Sequence, residues 1–598
     1  MAQSYPAVCK MTRTAQRMLL SGNEAIARGA YEAGVKVAAS YPGTPATEIL
    51  ESLATYEGIH AQWSPNEKVA LDVAFGAALG GVRALASMKH VGLNVAADSF
   101  FTISYTGATA GLVIVSADDP GMHSSQNEQD NRHYARAAKV PMLEPADSQE
   151  AKDFVIAAFD ISEQFDTPVL LRTTTRISHG KSLVRSGRPK SPRPRRFERQ
   201  PAKYVMVPGH ARLRHVVVEE RLERLRQFSN ATSLNRIEMG DTDLGIIAAG
   251  VAYQYAREAR PDASFLKLGM SYPLPDEMIR DFASRVKRLF VIEELDPFLE
   301  QEIAAMGIEV SGKPPAMRLG EMDAGAAAVA LGDQPPRVEP ITDLPARPPV
   351  LCPGCPHSGV FYVLHKLKAI VAGDIGCYTL SVLPPLETMD TCVCMGASIG
   401  HALGLERAFA VAGDERPVVA ALGDSTFVHA GITELIDVVY NKGCTTVVIL
   451  DNRTTAMTGR QNHPATGRTA SGAETYQLDL EAMCRACGVD DVAVVDPYDL
   501  DATEQALKRA IAARHPSVVI TRHECVLLRR GERRAPPHVV EEACIGCGLC
   551  LGLGCPALRA APAGPKGRLK PTIAEELCAS CGLCAQICRR EAIVWEQQ

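Results

Sequence analysis

Apolar residues along positions 21–180 come in short runs, divided by Ala- and Gly-rich stretches with helical spacing. The segments VKVAASYPGTP, KVALDVAFGAALGGVRALASMKH and AGLVIVSADDPG carry this alternation. Strands and helices taking turns predict a parallel sheet with helices on both faces. A second unit of this kind covers about 240–332, with strands LGIIAAG, SFLKLG and RLFVIEE and helices AYQYAREA and PDEMIRDFASRV between them. A third runs from about 350 to 525, with strands PVVAALGD, CTTVVILDN and PSVVITRH. The first and third share one broad plan, and the pattern predicts a multidomain α/β protein.

Breaks in the pattern mark the joins. The Pro-, Gly- and Arg-rich stretch 180–203 reads as a solvated linker or extended arm, with an interaction arm for a partner or anionic coenzyme as the lesser reading. QPPRVEPITDLPARPP (334–349) is a second join, and RRGERRAPP (529–537) leads into a cysteine-rich tail. The expected division is 14–180, a basic connecting segment 181–240, then 241–332, a linker 333–349, 350–528 and 535–598.

A chain of 598 residues is too long for one core, which agrees with several domains. A net charge of −6 leaves no large basic face, so no nucleic acid is expected. No apolar run reaches the roughly 18–20 residues of a membrane span, and the N-terminus lacks the apolar core of a secretory signal. The expected location is therefore the cytoplasm. Eighteen cysteines are not expected to form disulfides there. Eight of them stand in CIGCGLCLGLGCP (544–556) and CASCGLCAQIC (578–588), where metal is the default reading.

Those two runs fit a two-cluster ferredoxin, in which each run gives three cysteines to one 4Fe–4S cluster and its fourth to the other. One set is Cys544, Cys547, Cys550 and Cys588; the other is Cys578, Cys581, Cys584 and Cys555. Four residues instead of three separate Cys550 from Cys555, a departure one loop residue long. Zinc is the alternative, but zinc knuckles come as separated C-x-x-C pairs.

The densest chemical signal inside the chain is residues 418–459. A strand ends in Gly423-Asp424-Ser425, a helix follows, and a second strand ends in Asp451-Asn452-Arg453-Thr454. Such a βαβ unit places both loops at the carboxyl ends of neighbouring strands, where α/β folds bind ligands. Gly423 lets backbone approach a phosphate, and the following helix offers free N–H groups at its start. Asp424 and Asn452, 28 residues apart, offer hard oxygens of the kind Mg²⁺ takes. The spacing resembles the thiamine diphosphate motif, with Ser425 where that motif has its second glycine. The resemblance implies Mg²⁺ held by Asp424, the Asn452 side chain and the Thr454 carbonyl.

Thiamine chemistry also needs a carboxylate against the aminopyrimidine ring, to promote deprotonation of the thiazolium carbon. On its residues alone, Glu67 in PNEKVALDVAFGAALGG is an ordinary acid complementing a helix dipole. A wider match changes that. YPGTP (41–45), PNEKVALDVAFGAALGG (65–81), MKHVGLNVAAD (88–98), DDPGMHSSQNEQDNR (118–132), CPGCPH (352–357), GDIGCYTL (373–380) and LGDSTFVHAGITEL (422–435) together closely resemble one family. It is the large subunits of indolepyruvate:ferredoxin oxidoreductases, a branch of the 2-oxoacid:ferredoxin oxidoreductases, and the match runs from about 14 to 590.

That resemblance implies thiamine pyrimidine- and diphosphate-binding domains, a transketolase C-terminal-like domain between them and a ferredoxin-like tail. It makes Glu67 the activating carboxylate and the Tyr41–Pro45 loop a substrate contact through Thr44, which otherwise reads as a helix N-cap with Pro45 behind it. His90, His123 and Asn127 are expected at the same cleft, without assigned roles. Cys352, Cys355, Cys377 and Cys525 are implied as ligands of a third, proximal cluster. Cys9, Cys392, Cys394, Cys444, Cys484 and Cys487 read as ordinary buried or loop thiols.

The implied reaction takes CO₂ from an aryl 2-oxo acid, sends single electrons through the clusters to ferredoxin and passes the acyl group to coenzyme A. The rivals are a non-oxidative decarboxylase, which needs no iron, and a non-catalytic electron-transfer subunit. The family's gamma domain has no counterpart in this sequence. The resemblance therefore implies a small beta subunit and a heterotetramer of two alpha and two beta chains.

Overall fold

The computed structural model describes residues 16–334, 341–345, 347–528, 535–562 and 569–595. Cys9 and most of the basic stretch leading to the tail lie outside these. The chain forms two compact units, divided between Pro340 and Ile341.

The first unit is built on a seven-stranded sheet in the order Met270–Tyr272, Met142–Leu143, Val169–Thr174, Leu112–Asp118, Ala84–Lys89, Val37–Ser40, His60–Trp63. All neighbours run parallel except the outermost, Met270–Tyr272, which is antiparallel. Side chains alternate across a strand, so each strand feeds two cores. Leu112 and Ile114 join one apolar cluster, while Val113 and Val115 join the other. A smaller sheet lies in the same unit, ordered Leu289–Ile292, Asp241–Ala249, Ala263–Leu268, Arg236–Glu238.

One segment departs from the sequence reading, and the expected arm proves more firmly held than a solvated linker. The basic connection holds a 24-residue helix, Pro208–Ala231. Its apolar residues form no clear stripe, so periodicity gave no sign of it. The stretch after residue 180 begins as a strand, Lys181–Arg185, paired with Arg17–Ser21. It continues as an extended arm tied down by Lys190 N to Glu32 O at 2.7 Å and Arg195 N to Gly81 O at 2.8 Å.

The second unit is built on six parallel strands, ordered Met389–Thr391, Ile370–Gly373, Val418–Gly423, Thr446–Asp451, Ser517–Arg522, Asp491–Val495. Val419 and Ala421 face one core, Ala420 and Leu422 the other. The tail has two antiparallel strand pairs and the short helix Leu583–Ile587. Leu583, Cys584, Ile587 and Cys550 share the core of Val360, Phe361 and Leu364, so the tail is welded to the six-stranded domain. No helix among the described residues is long and apolar enough to cross a membrane.

Candidate active site

In the first unit, Glu67 opens the helix Glu67–Leu79, and the Asn66 side chain caps it by accepting from Val69 N at 2.9 Å. Glu67 is only 5% exposed. Its carboxylate lies against Gly92 of the helix His90–Val95, where an added Cβ would sit 2.7 Å from both Cγ and Oε1. A helix-dipole acid has no reason to be buried, so the structure favours a built position over a surface one.

Around it, His90 is fully buried, with Nε2 3.2 Å from both Asn127 O and Asn127 Oδ1. Burial first, and then the neighbouring Lys89, hold the His90 pKa below its ordinary value, which keeps the ring neutral. Lys89 escaped the sequence reading. Its ammonium donates to Ser124 O at 2.9 Å, and its stem lies 3.2 Å from where a Cβ on Gly43 would stand. Burial pulls the Lys89 pKa down, opposed by the charges of Asp119 and Glu67. Tyr41 is buried in the same loop as Gly43. Thr44 is not a helix cap: the next helix is Thr47–Leu53 with Ala46 at its N-cap, and Thr44 O accepts from Ser124 Oγ at 3.5 Å. His123 turns away, exposed and 3.2 Å from Glu321.

Behind this cluster is a buried ionic network that no sequence pattern announced. Arg132 binds Asp130 and Glu293, each at 2.5 Å, and Arg172 binds Asp118 at 2.7 Å and Glu144 at 2.5 Å. Asn131, one residue before Arg132, donates to His90 O at 3.0 Å, so the network and the cleft share backbone.

In the second unit, Gly423 ends its strand with its N–H donating to Tyr378 Oη at 2.9 Å, and a Cβ there would stand 3.1 Å from the Tyr378 ring. The Asp424 carboxylate accepts from Ser425 N at 2.8 Å and Arg453 N at 2.9 Å, which joins the two loops. Ser425 Oγ accepts from Thr455 Oγ1 at 3.0 Å. Asn452 presents its amide nitrogen to His357 Nε2 at 3.3 Å, and its Oδ1 accepts from Thr454 N at 3.2 Å. Burial lowers the His357 pKa to about 4, so its ring is a neutral acceptor and Asn452 Oδ1 is turned the other way.

The donor set suits Mg²⁺ and a diphosphate. Asp424, Asn452 and Thr454 supply hard oxygens and are at most 7% exposed. His463 Nε2 lies 3.3 Å from Asp424 Oδ2, while its buried Nδ1 makes no hydrogen bond among the described residues. Such orphaned groups suit a polar ligand in the cradle. Burial pushes the Asp424 pKa up, but His463 and the two backbone N–H groups outweigh it and the net direction is down. His463 and His357 are the residues that sequence reasoning missed here; His357 stood inside the quoted CPGCPH run.

The thiols fall into three neighbourhoods. Burial, then the charges of Cys377, Cys352 and Cys525, drive the Cys355 thiol far up. Cys377 is pushed up to about 11 by burial and then by Cys525 and Cys352. Cys550 is raised by burial, with Cys588, Cys547 and Cys544 as its nearest like charges. Cys584 reaches about 12 through burial and then Cys581, Cys555 and Cys578. Each set lies close enough for its members to raise one another, an arrangement that suits a shared cation such as the iron of a cluster. Among the described residues, the group of three possible ligand atoms within 4.8 Å of one another is Asp130, His133 and Asp296, not any cysteine set.

These neighbourhoods adjoin the loops. Cys525 N donates to Asn452 O at 3.0 Å. A Cβ on Gly354, between Cys352 and Cys355, would stand 2.6 Å from Ala579 Cβ and 3.7 Å from Cys581 Cβ in the tail. Gly354 has φ +70°, so glycine is needed there for the backbone as well as the space.

Residues 28–223 match the family "Pyruvate flavodoxin/ferredoxin oxidoreductase, thiamine diP-bdg", and residues 374–521 match "Thiamine pyrophosphate enzyme, C-terminal TPP binding domain". Together they define the class: a thiamine-diphosphate oxidoreductase of the pyruvate:ferredoxin type. The chain is 44% identical to indolepyruvate oxidoreductase subunit IorA of Archaeoglobus fulgidus, over 91% of this chain and 93% of that protein. It is 42% identical to the IorA subunit of Methanothermobacter thermautotrophicus, again over 91% and 93%. A solved 2-oxoglutarate:ferredoxin oxidoreductase from Magnetococcus marinus aligns with TM-score 0.46 and 15% identity, covering 55% of this chain and 68% of that one. The chain belongs to the family of indolepyruvate oxidoreductase IorA subunits.

Proposed function

We propose that this chain carries the thiamine and electron-transfer chemistry of an aryl 2-oxo acid:ferredoxin oxidoreductase that makes aryl-acyl-coenzyme A and CO₂. The observation that carries the reading is the bond from Cys525 N to Asn452 O. It ties a four-thiol neighbourhood to the loop that would hold the cofactor's metal, which supports an electron acceptor held close to the cofactor. A non-oxidative decarboxylase has no use for that arrangement, and an electron-transfer subunit has no use for the Asp424 cradle.

Thiamine diphosphate, when bound, supplies the electron sink for decarboxylation. Gly423 and Ser425 border the phosphates, and Asp424, Asn452 and the Thr454 carbonyl hold Mg²⁺. The Glu67 carboxylate would hold the proton exchanged with the pyrimidine ring of the bound cofactor. Tyr41 and Thr44 border the substrate, with His90 neutral behind them and Asn127 fixing its ring. Lys89 offers the positive charge for the 2-oxo acid carboxylate. His123, exposed and paired with Glu321, has the weakest claim of this set. Cys352, Cys355, Cys377 and Cys525 hold the proximal 4Fe–4S cluster. Cys544, Cys547, Cys550 and Cys588, and Cys555, Cys578, Cys581 and Cys584, hold the two exit clusters toward ferredoxin.

The relatives are named as subunits. We infer a small beta partner, in a heterotetramer of two large and two small chains. Every described cysteine is a free thiol, which suits the reducing cytoplasm.

The test is steady-state kinetics of the anoxically co-produced subunits with indolepyruvate, phenylpyruvate, 4-hydroxyphenylpyruvate, pyruvate and 2-oxoglutarate. Arylpyruvates should give the highest kcat/KM, with acyl-coenzyme A formed in step with ferredoxin reduction. Aldehyde release without ferredoxin reduction would establish the decarboxylase instead. The large chain alone should be inactive or nearly so, and full turnover without a partner would refute the subunit assignment.

A further inference from the structure

The loop after strand Leu112–Asp118 holds a residue that the reading above leaves without a role. Met122 is a large apolar side chain, 47% exposed, and its backbone stands at φ +51°. A residue other than glycine is uncommon in that left-handed region. We propose that Met122 is the specificity residue for the substrate side chain, lying against the aryl ring of the 2-oxo acid while Lys89 takes the carboxylate. The proposal rests on the reading that the substrate is an aryl 2-oxo acid.

The loop is built to hold this conformation. Met122 N donates to Asp119 O at 3.0 Å. The buried Asp119 carboxylate accepts from Ser124 N at 2.9 Å, Ser125 Oγ at 2.7 Å and Thr175 Oγ1 at 2.7 Å. Gly121 N donates to Glu128 Oε1 at 2.6 Å, and His123 is occupied with Glu321. Both neighbours of Met122 are thus engaged within the protein, while Met122 joins none of the apolar clusters among the described residues. Backbone strain that the surroundings keep in place clusters at ligand-binding positions. Here it holds an apolar side chain outward that packing inside the first unit does not need.

Place and chemistry select the part of the substrate it meets. Lys89 Nζ donates to Ser124 O at 2.9 Å, and Ser124 Oγ donates to Thr44 O at 3.5 Å. The loop therefore stands on the two residues proposed to meet the carboxylate end. Met122 comes two residues before Ser124, at most about 7 Å of chain away. In an arylpyruvate two carbons separate the carboxyl carbon from the ring, so a carboxylate at Lys89 brings the ring within reach of Met122. A thioether suits that contact, because it is apolar and flexible and its sulfur is attracted to aromatic rings. Among the large apolar side chains exposed on the described part of the first unit, Met122 is the one in a loop at the carboxyl end of a strand of the seven-stranded sheet. Pyruvate has no ring to offer it.

The test is steady-state kinetics of the assembled enzyme with indolepyruvate, phenylpyruvate and pyruvate, on wild type, Met122→Asn and Met122→Leu. Asparagine accepts the left-handed backbone and removes the apolar contact, so Met122→Asn should melt no lower than wild type. Its ratio of kcat/KM for indolepyruvate to that for pyruvate should fall about 10- to 50-fold, the scale of lost apolar contacts in a specificity pocket. The fall should appear mainly in KM, because the ring contact is made in the ground state as well as in the transition state. Met122→Leu keeps the apolar bulk and should recover most of the ratio, with thiamine diphosphate affinity and iron content as in wild type. Should Met122→Asn fail to assemble, Met122→Gly, which is free at positive φ, repeats the measurement. A ratio within about twofold of wild type, through no loss or through equal loss on every acid, would overturn the proposal. Arylpyruvates behind pyruvate in wild type would strike the aryl reading and the proposal together. Arylpyruvates ahead of pyruvate, with a ratio that the variants do not move, would strike Met122 alone.

Discussion

The two parallel-sheet units solve the same problem, placing charge at the carboxyl ends of strands, in opposite ways. The first buries full charges and neutralises them in pairs, as in Arg132 with Asp130 and Glu293. The second satisfies its one critical carboxylate, Asp424, with His463 and two backbone N–H groups, and surrounds it with buried thiols and the neutral ring of His357. Paired charges make a rigid support, because breaking one partner strands the other in a low-dielectric interior. A carboxylate held by N–H groups keeps lone pairs for a cation. The difference teaches where rigidity and where ligand capacity reside: the first unit braces Glu67, and the second offers the groups proposed to take metal, phosphate and iron.

The largest expected effect breaks the receiving side. Asp424→Ala should lower kcat/KM by roughly 10³, the scale of several kcal/mol supplied by a bound metal ion. Mg²⁺-dependent binding of thiamine diphosphate should weaken with it, while iron content stays unchanged. Retained cofactor binding in calorimetry would show that the cradle is elsewhere. Cys525→Ala sharpens the same side, since it should cost roughly four irons per chain and nothing from the tail clusters. Iron analysis and electron paramagnetic resonance read this directly.

On the bracing side the effects are smaller. Gly92→Ala would put a Cβ 2.7 Å from Glu67 Oε1, so the carboxylate must move although the helix tolerates alanine. Turnover should fall about tenfold with the melting temperature nearly unchanged, following the sensitivity of catalysis to small misplacements. Unchanged turnover would mean that the position of Glu67 is not critical.

Glu294, buried beside the ionic network with its backbone carbonyl accepting from Arg132 Nη2 at 2.8 Å, tests that support through pH. Burial raises its pKa from 4.5 to about 7, with Arg172 opposing. The folded state therefore holds the proton more tightly than the unfolded chain. The stability this group contributes is complete below about pH 4.5 and is lost as pH rises through about 7, a change on the order of 3 kcal/mol. Glu294→Gln should flatten that part of the stability–pH curve and melt no lower than wild type at pH 8. A wild-type profile without this decline would remove Glu294 from the network.

What the sequence could reveal follows the same division. Asp424 and Asn452 were legible because adjacent parallel strands bring their ends together, so a spacing of 28 residues has a geometric meaning. The tail was legible because three cysteines at fixed intervals have few other uses. Glu67 was not legible on its own residues: an acid in a first helical turn is commonplace, and only family resemblance singled it out. The Arg132–Glu293 pair joins residues 161 apart, and nothing local marks either end. His463 and Lys89 were missed for the same reason, since their importance lies in what the fold sets beside them. For Thr44 only the alternative reading fails, since Thr-Pro suggests a helix start whereas here the loop runs on to Thr47.

The central claim is that Glu67, a braced carboxylate in the first unit, starts the chemistry whose electrons leave through the cysteines of the second. The direct measurement is arylpyruvate-dependent ferredoxin reduction by Glu67→Gln in the assembled enzyme, beside thiamine diphosphate affinity and iron content. The account predicts a fall in kcat of about 10²–10⁴, the range of a lost general acid–base group, with cofactor affinity and iron intact. Undiminished oxidation by Glu67→Gln would contradict it.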